Sequence, residues 1–166
     1  MLANIILIGM PGAGKSTVGV VLAKRMQKKF IDTDLLIQEE QNLTLHQIME
    51  RDGLDGFLKI ENEVLKKLDV QNCIIATGGS AIYGKEAMEH MKKSGHIVYL
   101  KLSYESICSR LGDLKERGVV ISPGKTLQEL YNERICLYQK YCDIEINCEK
   151  KELKDIVGEI SDLYTE

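Results

Sequence analysis

The chain has 166 residues, of which 44% are hydrophobic, and its 22 Lys and Arg against 25 Asp and Glu give a formal net charge of −3. This length is typical of one domain with its own core, so we expect a single domain over residues 1–166. The slight acidic excess argues against a protein held to nucleic acid by general charge. With 2 Phe and no Trp, the chain is also poor in the side chains on which nucleic-acid bases stack. Any anionic ligand must therefore be bound by a local arrangement of groups.

The cysteines and the first residues indicate a reducing compartment and no membrane. The 5 cysteines are odd in number and no two have C-x-x-C spacing, so neither a disulfide framework nor a zinc site is predicted. The first four residues carry no basic side chain, and the apolar run that follows is too short to span a bilayer. We expect a cytoplasmic monomer with no nucleic-acid or membrane partner.

Short apolar runs alternate with longer amphipathic segments along the chain. The pattern predicts strands at Ala3–Ile8, Phe30–Ile31, Cys73–Ala76, His96–Leu102 and Asp143–Asn147. It predicts helices at Lys15–Lys28, Leu35–Glu40, Leu45–Arg51, Leu54–Leu68, Lys85–Lys93, Tyr104–Leu111, Thr126–Tyr141 and Glu152–Leu163. Thr44 is the expected N-cap of the helix that begins at Leu45. Strands separated by helices indicate an α/β fold with a parallel sheet covered on both faces. The charged, aperiodic segment Gly112–Gly124 predicts a mobile loop.

The strongest motif is Gly-Met-Pro-Gly-Ala-Gly-Lys-Ser-Thr at residues 9–17, which fits G-x-x-x-x-G-K-[ST] between a predicted strand and a predicted helix. Glycines let successive N–H groups point at phosphate oxygens, and the helix start adds its positive dipole end. Lys15 can reach the β- and γ-phosphates, and Ser16 offers a hydroxyl to Mg²⁺. The predicted nucleotide-binding residues are Gly12, Ala13, Gly14, Lys15, Ser16 and Thr17. The motif alone leaves a GTPase, an ATPase and a small-molecule kinase open.

Two carboxylates, Asp32 and Asp34, follow the second predicted strand. Ligands of open α/β sheets lie beyond the carboxyl ends of the strands, which is where these side chains fall. Asp32 is therefore a candidate for the Mg²⁺ shell, and Asp34 is a candidate base for a substrate hydroxyl. The alternative is that one or both carboxylates cap the next helix.

The phosphate loop, this D-x-D, a glycine pair after the third strand, an arginine in the loop and a late helical arginine together resemble the shikimate kinase family. The resemblance covers most of the chain. It implies a three-layer P-loop NTPase fold with a five-stranded parallel sheet of order 2-3-1-4-5, flanked by helices. It also implies transfer of the γ-phosphoryl group of ATP, with Mg²⁺, to the 3-hydroxyl of shikimate, a small hydroxylated substrate that carries a carboxylate.

The same resemblance assigns further residues. Lys15, Asp34 and Arg117 would be catalytic, with Arg117 on a lid at about residues 112–124 that closes over the phosphates. Arg110 would lie against adenine, and Arg134 would hold the substrate carboxylate. The helical spacing places Arg134 on one face with Leu127, Leu130 and Tyr138, so its side chain is expected to point inward. Gly78 and Gly79 match the first two glycines of a substrate loop. The acceptor would bind under helices at about residues 33–61.

Two positions on the substrate side depart from the family pattern. Leu58 stands where the family has a second arginine for the carboxylate, and Ser80 stands where it has a third glycine. Leucine cannot hold a carboxylate, so the two differences are the pattern expected of altered acceptor choice. They are also compatible with a divergent shikimate kinase that uses another residue. Glu61, the usual partner of the absent arginine, is expected to pair with Lys59 or Arg51 instead.

Three functions remain in competition at this stage. The first is phosphorylation of shikimate, and the second is phosphorylation of a different small hydroxylated metabolite by the same fold. The third is a nucleotide-binding regulatory protein without productive transfer, which the retained Lys15, Ser16, Asp34 and Arg117 disfavour. A nucleoside monophosphate kinase would need several arginines around the acceptor phosphate, and this chain has few to offer there.

Overall fold

The computed structural model describes residues 3–112, 119 and 121–164, and within them five strands form one parallel sheet. The strands are β1 (Asn4–Ile8), β2 (Lys29–Asp32), β3 (Cys73–Ala76), β4 (Gly95–Lys101) and β5 (Ile144–Asn147). Their order across the sheet is β2-β3-β1-β4-β5, which confirms the α/β fold and the order that the family resemblance implied.

Helices cover the sheet, and their bounds lie within two or three residues of the prediction in most cases. They are α1 (Lys15–Met26), α2 (Thr33–Gln41), α3 (Leu45–Lys66), α4 (Lys85–Ser94), α5 (Tyr104–Leu111), α6 (Leu127–Tyr141) and α7 (Leu153–Tyr164). A single 3₁₀ turn at Ala81–Tyr83, which the apolar pattern did not predict, joins β3 to α4. The predicted loop at residues 112–124 lies largely outside the described residues.

The longest helix contains a break. The apolar pattern predicted separate helices at Leu45–Arg51 and Leu54–Leu68, and α3 runs through both with non-helical dihedrals at Gly53 (φ 70°, ψ −177°). A residue with a side chain adopts that conformation at a cost, so glycine permits the kink. Thr44 is the N-cap, as predicted, and forms a capping box with Gln47.

The central strand β1 is buried along its whole length and pairs with β3 on one side and β4 on the other. Aliphatic side chains on both of its faces account for the continuous apolar run, as expected for a parallel strand between two helix layers. Because the strands are parallel, the segments that follow β1, β2 and β3 meet at one edge of the sheet. The phosphate loop, Asp32 and the Gly78–Gly79 pair are thereby brought together.

No helix in the described part of the chain is long and apolar enough to cross a bilayer.

The pairing of β1 with β4 leaves no room for a side chain at Gly95. A Cβ there would lie 2.2 Å from the Asn4 carbonyl oxygen on the neighbouring strand. We expect Gly95→Ala to lower the free energy of unfolding by about 1–3 kcal/mol, because the strands must separate locally. Urea denaturation measures the difference in the free energy of unfolding between the variant and the unmodified chain.

Gly158, a half-buried position on α7, is the matched control, since nothing lies within 4 Å of a Cβ at that position. Gly158→Ala should raise stability by about 0.5–1 kcal/mol through helix propensity. Equal stability of Gly95→Ala and the unmodified chain would contradict the close β1–β4 approach.

Candidate active site

The phosphate loop wraps the start of α1. Gly12 (φ 82°) and Gly14 (φ 90°) adopt left-handed backbone conformations that side chains disfavour, which explains glycine at both positions. Gly14 is the N-cap of α1 and has no side chain with which to cap it. The N–H groups of the first turn are therefore left for a ligand, and the helix dipole favours an anionic one.

Lys15 is buried under this loop. Its Nζ donates hydrogen bonds to the carbonyl oxygens of Gly9 (2.7 Å) and Met10 (2.8 Å). Burial lowers the pKa of Lys15 to about 8, and the nearby Asp34 carboxylate opposes that shift. The ammonium group is thus held at the loop by hydrogen bonds to neutral carbonyls, where an added phosphate could form a charged hydrogen bond with it.

Asp32 performs two tasks with its two oxygens. Oδ1 accepts a hydrogen bond from the Asp34 backbone N–H (3.0 Å) and caps α2, while Oδ2 accepts one from the Ser16 hydroxyl (2.7 Å). The capping role and the role beside the phosphate loop, weighed above as alternatives, are therefore compatible. A hydroxyl and a carboxylate oxygen side by side are hard-oxygen ligands of the kind Mg²⁺ prefers.

The residues at this site suit Mg²⁺ bound together with a nucleotide better than a metal ion bound by protein side chains alone. In the described parts of the chain no three His, Cys, Asp or Glu side chains come together to bind a metal ion. Mg²⁺ commonly uses one or two protein ligands together with substrate phosphates and water. Ser16 and Asp32, at the mouth of the phosphate loop, match that ligand set.

The glycine pair after β3 packs against both halves of the site. A Cβ at Gly78 would lie 2.7 Å from Asp34 Oδ1 and 3.0 Å from Glu61 Oε2. A Cβ at Gly79 would lie 2.6 Å from Pro11 Cδ in the phosphate loop and 2.9 Å from Arg134 Nη1. A Cβ at either position would collide with these neighbours, so close packing at the site, and not only a turn, explains the two glycines.

Asp34 is mostly enclosed. Burial is the main cause that raises its pKa to about 6, neighbouring Asp32 adds to the increase, and Lys15 opposes it. A carboxylate with a pKa nearer neutrality is a stronger base than a solvated one, which suits proton acceptance from an alcohol.

Arg134 points inward, as the apolar face of its helix predicted, and its side chain has 0% exposure. Its Nε donates to the Tyr83 hydroxyl at 3.4 Å, and the guanidinium lies 5.4 Å from the centre of the Tyr83 ring. Tyr83 in turn donates a hydrogen bond to Glu133 Oε1 (2.6 Å). Tyr83 therefore holds the arginine by both its ring and its hydroxyl.

Glu61 does not pair with Lys59 or Arg51, and that expectation is wrong. Arg51 instead contacts Asp52 (2.6 Å), whereas Glu61 is 2% exposed and its Oε1 accepts a hydrogen bond from the Ser80 hydroxyl (2.6 Å). Helical spacing did not predict this contact because Ser80 belongs to the loop after β3 and not to α3. The other carboxylate oxygen of Glu61, Oε2, has no hydrogen-bond partner among the described residues.

Two cavities adjoin at this edge of the sheet. A cavity of about 390 Å³ is lined by Pro11, Gly12, Gly14, Lys15, Ser16, Thr17, Asp34, Thr77, Gly78 and Gly79. A second, of only about 20 Å³, is lined by Pro11, Asp34, Leu45, Phe57, Gly78, Gly79, Ser80 and Arg134. The second holds about one water molecule. A ring-sized acceptor must therefore extend into the larger cavity or displace the α3 wall.

Other predicted site residues lie in different surroundings. Arg110 is exposed on α5 and its Nη1 donates to the Gly12 carbonyl (3.3 Å), which places it over the phosphate loop. Leu58 is half-buried against the hydrophobic core and does not contribute to the described lining of either cavity. Arg117 lies outside the described residues. The roles of these three residues stay predictions.

Sequence reasoning missed two tyrosines that hold the site. The Tyr138 hydroxyl donates to the Gly79 carbonyl oxygen (2.7 Å), and Tyr83 holds Arg134 as described. Tyr138 lies one helical turn after Arg134, and that spacing was the signal that could have joined them. Tyr83 follows the glycine pair by four residues in a turn without periodicity, so no pattern marked it.

Comparison with known proteins gives a consistent result. A family model described as shikimate kinase matches residues 11–165. The shikimate kinase of Sulfurihydrogenibium sp. (strain YO3AOP1) is 34% identical over 158 residues, which cover 95% of this chain and 95% of that protein. The solved structure of shikimate kinase from Acinetobacter baumannii in complex with shikimate matches with a TM-score of 0.90 and 32% identity, over 98% of this chain and 93% of that one. The structure of shikimate kinase from Aquifex aeolicus matches with a TM-score of 0.82 and 37% identity, over 95% and 93% of the two chains.

Substitutions at Asp32 separate its two tasks. Asn is as good an N-cap as Asp, so Asp32→Asn should leave the thermal midpoint nearly unchanged, whereas Asp32→Ala should cost about 1 kcal/mol of stability. Both variants remove the charge beside Ser16 and should weaken Mg²⁺-dependent nucleotide binding about equally. Thermal melts and nucleotide titrations with and without Mg²⁺ measure the two effects. Unchanged Mg²⁺ dependence in both variants would contradict the metal role.

Proposed function

Since the chain belongs to the shikimate kinase family, we propose that it transfers the γ-phosphoryl group of ATP to the 3-hydroxyl of shikimate. The observation that carries this proposal is the convergence at the glycine pair. There, Asp34 lies against Gly78, and both Arg134 and Pro11 of the phosphate loop lie against Gly79. A base, a carboxylate-binding cation and a phosphate-binding loop thus share one wall, which suits an alcohol that carries a carboxylate.

On the nucleotide side, Lys15 and the N–H groups at the start of α1 bind the β- and γ-phosphates of ATP. Ser16 and Asp32 would hold Mg²⁺, which neutralises phosphate charge when bound. Arg110 lies over the loop and contacts the nucleotide from the solvent side. Arg117 is assigned, from the family resemblance alone, to stabilise charge on the transferred group.

On the acceptor side, Asp34 accepts a hydrogen bond from the reacting hydroxyl and takes up its proton. Its position at the boundary between the two cavities puts the hydroxyl close to the phosphate loop, so that transfer follows from orientation. Arg134, fixed by Tyr83, binds the acceptor carboxylate with its guanidinium fork. Gly78, Gly79 and Ser80 form the wall between the two.

The second candidate is the same reaction with a different small hydroxylated acceptor. Leu58 favours it, because the half-buried leucine packs against the core where a second carboxylate-binding cation would stand. A lost charged hydrogen bond of that kind costs about 1.5–3 kcal/mol of acceptor binding. The Ser80 hydroxyl, which is engaged with Glu61, is the other difference in the wall.

The test is ADP release from ATP and Mg²⁺ with shikimate, with quinate, and with a panel of sugar acids and polyols. We expect acceptor-stimulated turnover with shikimate, because Arg134 retains the carboxylate site. Turnover with another acceptor and none with shikimate would support the second candidate. ATP binding without stimulation by any acceptor would contradict both candidates and favour a regulatory protein.

Leu58→Arg discriminates between the two acceptors more sharply. An arginine at this position restores a second cation for the carboxylate, so it should lower the KM for shikimate by about 10-fold or more if the leucine is what weakens binding. Lys59→Arg, at the exposed neighbouring position, is the matched control and should have little effect. No gain from Leu58→Arg would mean that Arg134 and other groups already hold the carboxylate.

A further inference from the structure

Glu61 and Ser80 form a pair that the roles assigned above do not use. The Ser80 hydroxyl donates to Glu61 Oε1 at 2.6 Å, and Glu61 Oε2 has no hydrogen-bond partner among the described residues although the side chain is 2% exposed. Oε2 lies against Gly78, at 3.0 Å from the position that a Cβ would take there. Asp34 Oδ1 lies 2.7 Å from the same Cβ position of Gly78. A buried carboxylate therefore stands directly behind the wall of the acceptor cavity.

The groups that face Glu61 come from several elements. Its electrostatic neighbours are Lys15 on α1, Asp34 on α2, Ser80 after β3, and Arg134 and Tyr138 on α6. Lys15 and Arg134 both favour the ionised form of Glu61, but burial of the carboxylate outweighs them. A charge on Glu61 is therefore incompletely compensated and acts on any anion bound beside Gly78.

We propose that the Glu61–Ser80 pair determines how acceptor affinity depends on charge: ionised Glu61 weakens binding of an acceptor that carries a carboxylate, and the Ser80 hydroxyl sets the pH at which this happens. The proposal rests on the proposed function, because it takes the acceptor to be the anion that Arg134 holds. It assigns to position 61 a specificity-determining role that acts through the electric field in the cavity and needs no contact with the substrate.

The direction of the effect follows from the protonation of Glu61. Burial raises the pKa of Glu61 to about 7, and the Ser80 hydrogen bond opposes that increase because it stabilises the ionised form. Below this value Glu61 is neutral and no longer opposes the attraction between the acceptor carboxylate and Arg134. Above it the two like charges repel, so acceptor affinity falls as the pH rises.

The experiment measures the dissociation constant of shikimate by calorimetry between about pH 6 and about pH 8.5, where the carboxylate of shikimate stays ionised. For the unmodified chain we expect the dissociation constant to rise about three- to tenfold across this range. Glu61→Gln retains an oxygen for Ser80 but carries no charge. It should bind shikimate more tightly than the unmodified chain at high pH and make the profile shallower, leaving only the pH dependence that Asp34 and Lys15 contribute.

Ser80→Gly tests whether Ser80 acts on the ionisation of Glu61, because a serine with a purely structural role would not change the midpoint of the affinity profile. Loss of its hydroxyl removes the hydrogen bond that favours ionised Glu61, so the midpoint of the affinity profile should shift upward by about one pH unit. Glu63→Gln is the matched control. Glu63 lies two residues further along α3 and pairs with Lys66 at the surface (2.8 Å), so its substitution should leave the affinity profile unchanged.

The outcomes are distinguishable. A flat profile for the unmodified chain, or a profile that Glu61→Gln leaves unaltered, overturns this inference while turnover of shikimate leaves the proposed function in place. Failure of shikimate to bind or to react at any pH overturns the proposed function, and the inference falls with it. A midpoint that does not move in Ser80→Gly overturns the part assigned to the serine.

Discussion

The site depends on the absence of side chains at Gly78 and Gly79. The backbone there passes so close to Asp34, Glu61, Pro11 and Arg134 that a single added carbon at each glycine would lie within 3.0 Å of its neighbours. These neighbours come from the phosphate loop, α2, α3 and α6, and the glycine pair is the surface on which they meet. The Tyr138 hydroxyl holds the same backbone from behind through the Gly79 carbonyl.

This close packing buries four ionisable groups, wholly or in large part, around the cavity. Lys15, Glu61 and Arg134 are buried, Asp34 is mostly so, and burial is the main cause of the pKa shifts of Lys15, Asp34 and Glu61. Burying charges is unfavourable for folding, yet the same low dielectric strengthens their interaction with a bound phosphate or carboxylate. The ligands of the proposed reaction are anions that can pair with the buried cations. Ligand binding therefore offsets part of the free energy that burying those charges costs.

Elements with a strong local signal were predictable from the sequence. The phosphate loop, the break near Gly53, the Thr44 cap and the inward face of Arg134 each follow from residues close together in the chain. The strand order came only from the family resemblance, since periodicity does not report which strands are neighbours. Likewise, the partner of Glu61 lies 19 residues away, and spacing along one helix suggested Lys59 or Arg51 instead. Tyr83 and Tyr138 act through long-range contacts that local patterns do not encode.

The central claim is that the acceptor lies between Asp34 and Arg134 on the glycine wall. A crystal structure with shikimate and ADP bound tests it most directly. The account predicts a ring hydroxyl within hydrogen-bonding distance of Asp34, the carboxylate on Arg134, and no contact from Leu58. A carboxylate bound to any other cation, or shikimate bound away from Gly78 and Gly79, would contradict it.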